Sequence, residues 1–253
     1  MKLHIVGSSP AVPRPGGASS SYLVRSAAAA VLLDFGTGAF AKLQLVLDPS
    51  SVDAIVVSHM HADHFFDLVP LRYALKYGSL SPGRLLPIWL PPGGRTSLDA
   101  LRRAVSPDAS EDFFDCVFAV REYDPEVGLE VRDVTLRFAP SRHYIEAYAM
   151  RCECDGTAIA YSGDTAPCDS VVQLARSSAL FLCEAGLGLG TEDGERGHSS
   201  AQEAGDMAAR AGASRLLLTH YSAAYPANDL VIAASSAFGG PVASAEDGMD
   251  VAI

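Results

Sequence analysis

Four apolar, strand-like runs in this sequence end at or just before a histidine or an aspartate. They are AIVVSH at His59, LRFAPSRH at His143, AIAYSGD at Asp164 and RLLLTH at His220. Ligands of open α/β sheets collect beyond the carboxyl ends of the strands. A fold in which these runs point the same way therefore gathers their terminal residues at one edge. The first ending is the densest: AIVVSHMHADHFFD (54–67) holds His59, His61, Asp63 and His64 within six positions. Of the chain's seven histidines, only His4 and His198 stand outside the converging set.

The segments around these endings alternate. KLHIV, SSYLV and AVLLDF read as strands, with the turn-rich GSSPAVPRPGGASS between the first two. AFAKLQLVL has helical spacing, AIVVS reads as a buried strand, and FDLVPLRYALKYG as a helix ended by Gly78. LLPIWLPP is a strand stopped by prolines, and TSLDALRRAVS an amphipathic helix with Thr96 or Ser97 as its cap. From near residue 120, EVRDVTLRFAP, YAMRCEC, TAIAYSG, ALFLCEA and RLLLTH read as strands. DSVVQLARSS, SAQEAGDMAARAG and NDLVIAASSAFG read as helices, and the tail closes as a strand. Each half runs strands first and then alternates strand with helix. That order predicts an α/β fold, a four-layer αββα sandwich of two mixed β-sheets. No linker is long enough to separate independent domains, so 1–253 reads as one domain with pseudo-halves of about 1–120 and 121–253.

At 253 residues and 49% hydrophobic, the chain can bury a sizeable core. A formal charge of −11 and the lack of any basic run argue against gripping a long nucleic acid, which proteins engage through Lys and Arg clusters. The five cysteines are odd in number and irregularly spaced, which suits reduced thiols rather than a disulfide framework. Cys152 and Cys154 read as two small apolar side chains on one strand face. MKLHIVGSS is too short in its apolar run for a signal peptide, and AAAAVLL (27–33) ends in an aspartate and cannot span a bilayer. The expectation is a cytoplasmic protein with no membrane partner.

Imidazole nitrogen and carboxylate oxygen suit zinc, and also manganese or iron. Seven such donors exceed what one tetrahedral ion needs and suit two divalent ions. His59, His61 and His143 are expected on one, and Asp63, His64 and His220 on the other. Asp164, the lone acid at its strand end, is the candidate bridge, because each carboxylate oxygen can serve one ion. Ser200 and Glu203 have capping-box spacing, so a helix begins just after His198, its positive end towards an anionic substrate. Glu184 ends a preceding strand and is placed to hydrogen-bond the His198 imidazole, keeping it protonated and oriented.

H-x-H-x-D-H, followed in order by a lone His, S-G-D-T and T-H, resembles the metallo-β-lactamase superfamily over nearly the whole chain. GSSPAVPRPGGASSSYLV followed by VLLDFGTG is similar to the opening of its ribonuclease Z branch. That resemblance implies that Asp34 orders the metal loop rather than binding metal. It also implies that Asp63 orients the nucleophile as well as binding metal. An aspartate at position 164, where true β-lactamases mostly carry cysteine, implies the phosphodiesterase and thioesterase branches. In ribonuclease Z and the class II cyclic nucleotide phosphodiesterases a histidine opening an H-S-T-type motif assists leaving-group departure, with a glutamate behind it. His198 and Glu184 match those places, with H-S-S as a mild departure.

The implied reaction is attack by a metal-activated hydroxide on a phosphodiester, with His198 assisting the departing alkoxide. His143 and Asp164 are only 21 residues apart. That interval is filled by two strands and a turn, which leaves no room for the tRNA-gripping arm of ribonuclease Z. The expected substrate is therefore a small anionic phosphodiester, above all a cyclic nucleotide, with a cyclic ribose phosphate or a short oligonucleotide also open, and the look is that of the compact cyclic nucleotide phosphodiesterases. A thioesterase or lactonase on the same metals, or a ribonuclease Z-like endonuclease without the arm, are the alternatives; a non-catalytic metal sensor fits the complete ligand set less well. A homodimer is carried over from the relatives. AGLGLGTEDGERGH (185–198) is either a lid or a plain flexible loop. Arg142, Tyr144 and Tyr221 are either substrate contacts or fold contacts.

Overall fold

The computed structural model describes residues 1–78, 80, 83–192 and 194–253. Among the described residues, two seven-stranded sheets lie at the centre. The first contains β1 (Lys2–Gly7), β2 (Ser21–Arg25), β3 (Ala30–Leu33), β4 (Ala54–Val56), β5 (Leu86–Leu90) and β6 (Phe118–Glu122). The second contains β7 (Leu129–Val131), β8 (Val134–Pro140), β9 (Tyr148–Cys154), β10 (Thr157–Tyr161), β11 (Leu180–Glu184), β12 (Leu216–Thr219) and β13 (Val242–Ser244). The last strand, β14 (Asp250–Ala252), returns to the first sheet and pairs antiparallel with β1. Both sheets are mixed: β3 to β6 run parallel, as do β10 to β13, while the remaining pairings are antiparallel.

Near-continuous apolar runs make these central strands, because both of their faces are covered. Alternate residues then serve different layers. Leu3, Ile5, Tyr22, Val24, Val31, Leu33 and Val56 of the first sheet meet Leu136, Met150, Ile159, Tyr161, Leu182 and Leu217 of the second in one core between the sheets. Leu23, Leu32, Ile55 and Ile88 point the other way, onto α1 (Ala39–Leu43), α3 (Leu68–Tyr77) and α4 (Gly94–Val105). Phe181, Cys183, Leu216 and Leu218 likewise pack under α5 (Asp169–Leu174), α6 (Ala201–Ala211) and α7 (Ala227–Ala237). The result is the αββα sandwich that the segment order predicts. Each such side chain taken fully out of water stabilises the fold by about 1.5–3 kcal/mol.

Cys152 and Cys154 both face the core between the sheets, and all five cysteines are free. Among the described residues, no helix is long and apolar enough to cross a membrane.

Several local expectations need correction. Helix α4 starts at Gly94, with Gly93 in the left-handed region before it, so neither Thr96 nor Ser97 is its cap. The Pro91–Gly94 turn, closed by Gly94 N–H onto the Pro91 carbonyl, feeds the helix earlier than its polar pair suggests. EVRDVTLRFAP is two strands, β7 and β8, joined at Arg132, whose φ of 58° turns the chain back on itself. Helix α1 stops at Leu43 rather than running on to Leu47. Phe118–Glu122 adds β6, an edge strand whose sequence has too little apolar alternation to mark it.

Candidate metal centre

The carboxyl ends of β4, β8, β10 and β12 meet at one edge of the sandwich, and the side chains beyond them form a single cluster. His59 follows β4 and His61 precedes the one-turn helix α2 (Ala62–Phe65), which carries Asp63 and His64. His143 follows β8, Asp164 follows β10 and His220 follows β12. The Asp34–Gly36 segment after β3 stitches the histidine loop in place. Phe35 N–H donates to the His64 carbonyl at 2.6 Å and Asp67 N–H to the Phe35 carbonyl at 3.1 Å. Gly36 is required by close approach, since a Cβ there would stand 1.9 Å from the Asp63 carbonyl oxygen.

Two donor groups result. In the first, His61 Nδ1 lies 3.1 Å from His59 Nε2 and 2.9 Å from His143 Nε2. In the second, His220 Nε2 and His64 Nε2 lie 3.2 and 3.5 Å from Asp63 Oδ2. Asp164 Oδ2 faces both groups. It stands 3.3 Å from His64 Nε2, 3.3 Å from His220 Nε2, 3.7 Å from His59 Nε2 and 4.0 Å from His143 Nε2. Within each group one donor atom from every residue lies within 4.8 Å of the others.

The outer hydrogen bonds decide which nitrogen faces inward, as they do for metal-binding histidines in general. Buried Asp34 accepts from Ser58 N–H at 2.6 Å, Ser58 Oγ–H at 2.8 Å, Tyr161 O–H at 2.8 Å and His64 Nδ1–H at 2.7 Å. Ser58 Oγ in turn accepts from His59 Nδ1–H at 3.0 Å, and the Gly197 carbonyl accepts from His143 Nδ1–H at 2.7 Å. The Nε2 lone pairs of His59, His64 and His143 are left to the cluster. Both Asp34, at φ 58°, and His220, at φ 53°, occupy the left-handed region, so each turns back sharply as it leaves its strand.

Burial lowers the pKa of His59, His61 and His143, the last to about 4. Burial opposes charge on Asp63 and Asp164 as well, but the neighbouring His220 and His64 outweigh it and hold both carboxyls below their usual range. Burial likewise opposes charge on His64, where Asp164 and Asp34 prevail and raise its pKa well above the ordinary value. His59 Nε2 and His143 Nε2 both converge on His61 Nδ1 at about 3 Å, with Asp164 beside them, an arrangement that a cation would hold together. Buried His64 Nε2, which faces the cluster, and Asp164 Oδ1 have no hydrogen-bond partner among the described residues. Converging ring nitrogens and an unpartnered buried carboxylate oxygen of this kind fit a divalent metal.

His198 stands beside the cluster, its ring stacked on His220 with centroids 5.5 Å apart and planes at 16°. The capping box of α6 forms as its spacing predicts, with Glu203 N–H donating to Ser200 Oγ and Ser200 N–H to Glu203. His198 Nδ1–H donates to Glu184 Oε1 at 2.9 Å. Glu184 is buried at the end of β11 and also accepts from Thr165 N–H at 2.8 Å and Gly186 N–H at 2.6 Å. Burial alone would depress the His198 pKa, but the Glu184 hydrogen bond and charge outweigh it and push it up to about 9.

His61, Asp63, Asp164, His198 and His220 line a cavity of about 560 Å³, together with Tyr144, Gly186 and the Pro10–Val12 segment. Of the ambiguous aromatic residues, Tyr144 lines this cavity. Tyr221 is a buried fold contact, its hydroxyl on the Ala245 carbonyl and its ring under the Arg14 guanidinium. Arg142 contributes backbone pairing to Ala166. Within 185–198, Asp193 lies outside the described residues. His4 is remote and pairs with Asp250. Sequence reasoning missed Ser58, Tyr161 and the Gly197 carbonyl as orienting groups and Pro10–Val12 as cavity lining; only the adjacency of Ser58 to His59 offered a signal.

Such a cluster, at the shared edge of a helix-covered double sheet, is the arrangement of a metal-dependent hydrolase. Residues 30–221 match the family described as Beta-lactamase superfamily domain, and the chain belongs to that superfamily. It is 33% identical over 246 residues to an uncharacterized protein of Mycobacterium tuberculosis, covering 96% of this chain and 88% of the relative. It is 27% identical over 282 residues to the ribonuclease Z of Methanothermobacter thermautotrophicus, covering 93% and 91%. The crystal structure of the metallo-β-lactamase fold protein YhfI from Bacillus subtilis superposes with a TM-score of 0.87 at 26% identity, covering 99% of this chain and 98% of that one.

Proposed function

We propose that this chain is a phosphodiesterase that holds two divalent ions, zinc by its donor set, and hydrolyses a small phosphodiester, above all a cyclic nucleotide. His59, His61 and His143 would hold one ion, Asp63, His64 and His220 the other, and Asp164 both. Bound there, the ions supply the Lewis acidity that makes water a nucleophile at neutral pH and offsets phosphoryl charge. Asp63 turns Oδ2 towards His220 and His64, so Oδ2 is the oxygen that would join them on the ion and Oδ1 is left to orient the attacking water. Glu184 holds His198 by Nδ1, so Nε2–H is the proton source for the departing alkoxide.

One observation carries the choice of bond. His198 is locked on a buried carboxylate and held protonated at the cavity. An alkoxide needs that proton to leave, whereas a thiolate leaves without it. The cavity volume of about 560 Å³ lies within the small-ligand range of roughly 300–1,000 Å³. The His143–Asp164 interval is occupied by β9, β10 and their turn, which supports a small substrate over a gripped tRNA. The ribonuclease Z relative, a nuclease by name, supports the bond class.

The test is hydrolysis of 3′,5′-cyclic AMP by metal-loaded wild type and His198→Ala, followed by product chromatography. The expected result is clear wild-type turnover that falls about 10²–10⁴-fold in the variant. A thioesterase would instead keep its thioester activity in His198→Ala. No wild-type turnover of 3′,5′- or 2′,3′-cyclic phosphates, with metal confirmed bound, refutes the proposal.

A further inference from the structure

The cavity has two chemically unlike linings. One is the polar cluster. The other is apolar and made by two segments that the reaction does not use: Pro10–Val12, from the connection between β1 and β2, and the Tyr144 ring. Val12 is 80% exposed and Tyr144 45%. Val12 and Tyr144 thus leave apolar surface open at the mouth of the cavity.

Both segments are held in place. The Tyr144 hydroxyl donates to Glu192 at 2.7 Å. The ring lies so close to Gly197 that a Cβ there would stand 2.4 Å from it. It also contacts His143 and His198, with centroids at 5.1 and 5.8 Å. The other segment is anchored beside the cluster, since His220 N–H donates to the Ser8 carbonyl at 2.9 Å and Ser9 N–H to the Ala18 carbonyl at 2.9 Å. Its two prolines, Pro10 and Pro13, restrict the backbone further. An aromatic ring that is exposed yet fixed, with its hydroxyl already engaged, offers its face to a ligand at little ordering cost.

We infer that Tyr144 and Pro10–Val12 form a slot for the base of a nucleotide substrate, so that the site favours phosphodiesters carrying a planar aromatic group over baseless ones. This inference rests on the phosphodiesterase reading for the bond that is cut. The slot itself stands on the shared cavity lining and the fixed Tyr144 ring. Stacking on a side chain tolerates any base, because every base has a π-face, so selection acts on the presence of a base.

Two measurements test it. The first compares kcat/KM for 3′,5′-cyclic AMP with that for baseless ribose 3,5-cyclic phosphate in wild type, Tyr144→Ala and Tyr144→Phe. Stacking is worth about 1–3 kcal/mol per base, so the preference for the nucleotide should fall about 5–150-fold in Tyr144→Ala, through KM, and persist in Tyr144→Phe. An unchanged preference overturns the inference. The second is calorimetric binding of adenosine 5′-monophosphate, which needs no turnover. Binding weakened about tenfold in Tyr144→Ala supports the slot even if no phosphodiester is cleaved, in which case the proposed function alone fails. Binding that is absent in wild type, or equal in both proteins, overturns the slot.

Discussion

Asp34→Asn probes how the metal cluster is ordered without touching a proposed ligand. Asparagine, like aspartate, tolerates the left-handed backbone that residue 34 adopts at φ 58°, so strain is not introduced. The side chain changes from four-fold acceptor to half acceptor, half donor. If the amide oxygen takes the place of Oδ2, the amide NH₂ meets Ser58 N–H, now 2.6 Å from Oδ1. If it is reversed, the NH₂ meets Ser58 Oγ, Tyr161 O–H and His64 Nδ1. His64 can then keep the contact only by accepting at Nδ1, which moves its proton to Nε2, the atom that faces Asp164 at 3.3 Å. Buried hydrogen bonds to a charged group are each worth about 1.5–3 kcal/mol, so losing one or two costs about 3 kcal/mol. At roughly 2–4 °C per kcal/mol for a chain of this size, Tm should fall by about 6–12 °C. Loss of an orienting partner typically weakens metal binding about 10–100-fold. The assays are calorimetry in excess chelator and metal content by mass spectrometry across a chelator series. A variant with the wild-type chelator midpoint would refute the claim that Asp34 sets the His64 tautomer.

Two further outcomes follow from the His198 side of the site. His198 has a pKa raised to about 9, chiefly by Glu184 acting against burial. If its proton serves the leaving group, activity is retained below that pH and lost as pH rises through about 9. In Glu184→Gln burial acts with less opposition, so the alkaline limb of kcat should move to lower pH; an unmoved limb excludes His198 as the titrating acid. Ser200→Ala removes the cap of α6 and should cost about 1 kcal/mol, or roughly 2–4 °C in Tm, by thermal denaturation; no loss would show that Glu203 and Arg196 hold this helix start alone.

The parts of the fold that were legible were those with long apolar runs. KLHIV, AVLLDF, TAIAY, LFLCE and RLLLT are buried on both faces, so composition alone marks them. What failed was local and polar. FAVRE pairs only at the sheet edge and has little core to report. The Arg132 turn splits β7 from β8 with no glycine, asparagine or proline to announce it. Thr96 and Ser97 look like a cap, but the Pro91–Gly94 turn had already started the helix. In each case a tertiary constraint prevailed over a local preference.

The candidate site divides along the same line, for a physical reason. Residues that gather at the cluster lie at strand ends or, for His61, Asp63 and His64, at or within the turn of helix just after one, and strand ends are readable because an apolar run stops there. Residues that orient them are read only through contacts across the chain: Tyr161 reaches Asp34 from 127 positions away and Gly197 reaches His143 from 54. The left-handed backbones of Asp34 and His220 belong to this second kind. A strand that ends in the sheet plane would carry its side chain past the edge, and the sharp turn returns it to the cluster. Such conformations persist where the surroundings over-determine them. Here the His220 N–H on Ser8 and the four donors on Asp34 do so. The same bond to Ser8 carries the Pro10–Val12 segment to the cavity. Ordering the cluster and shaping the apolar lining beside it are therefore one structural event, and a change that loosens Ser8 should disturb both.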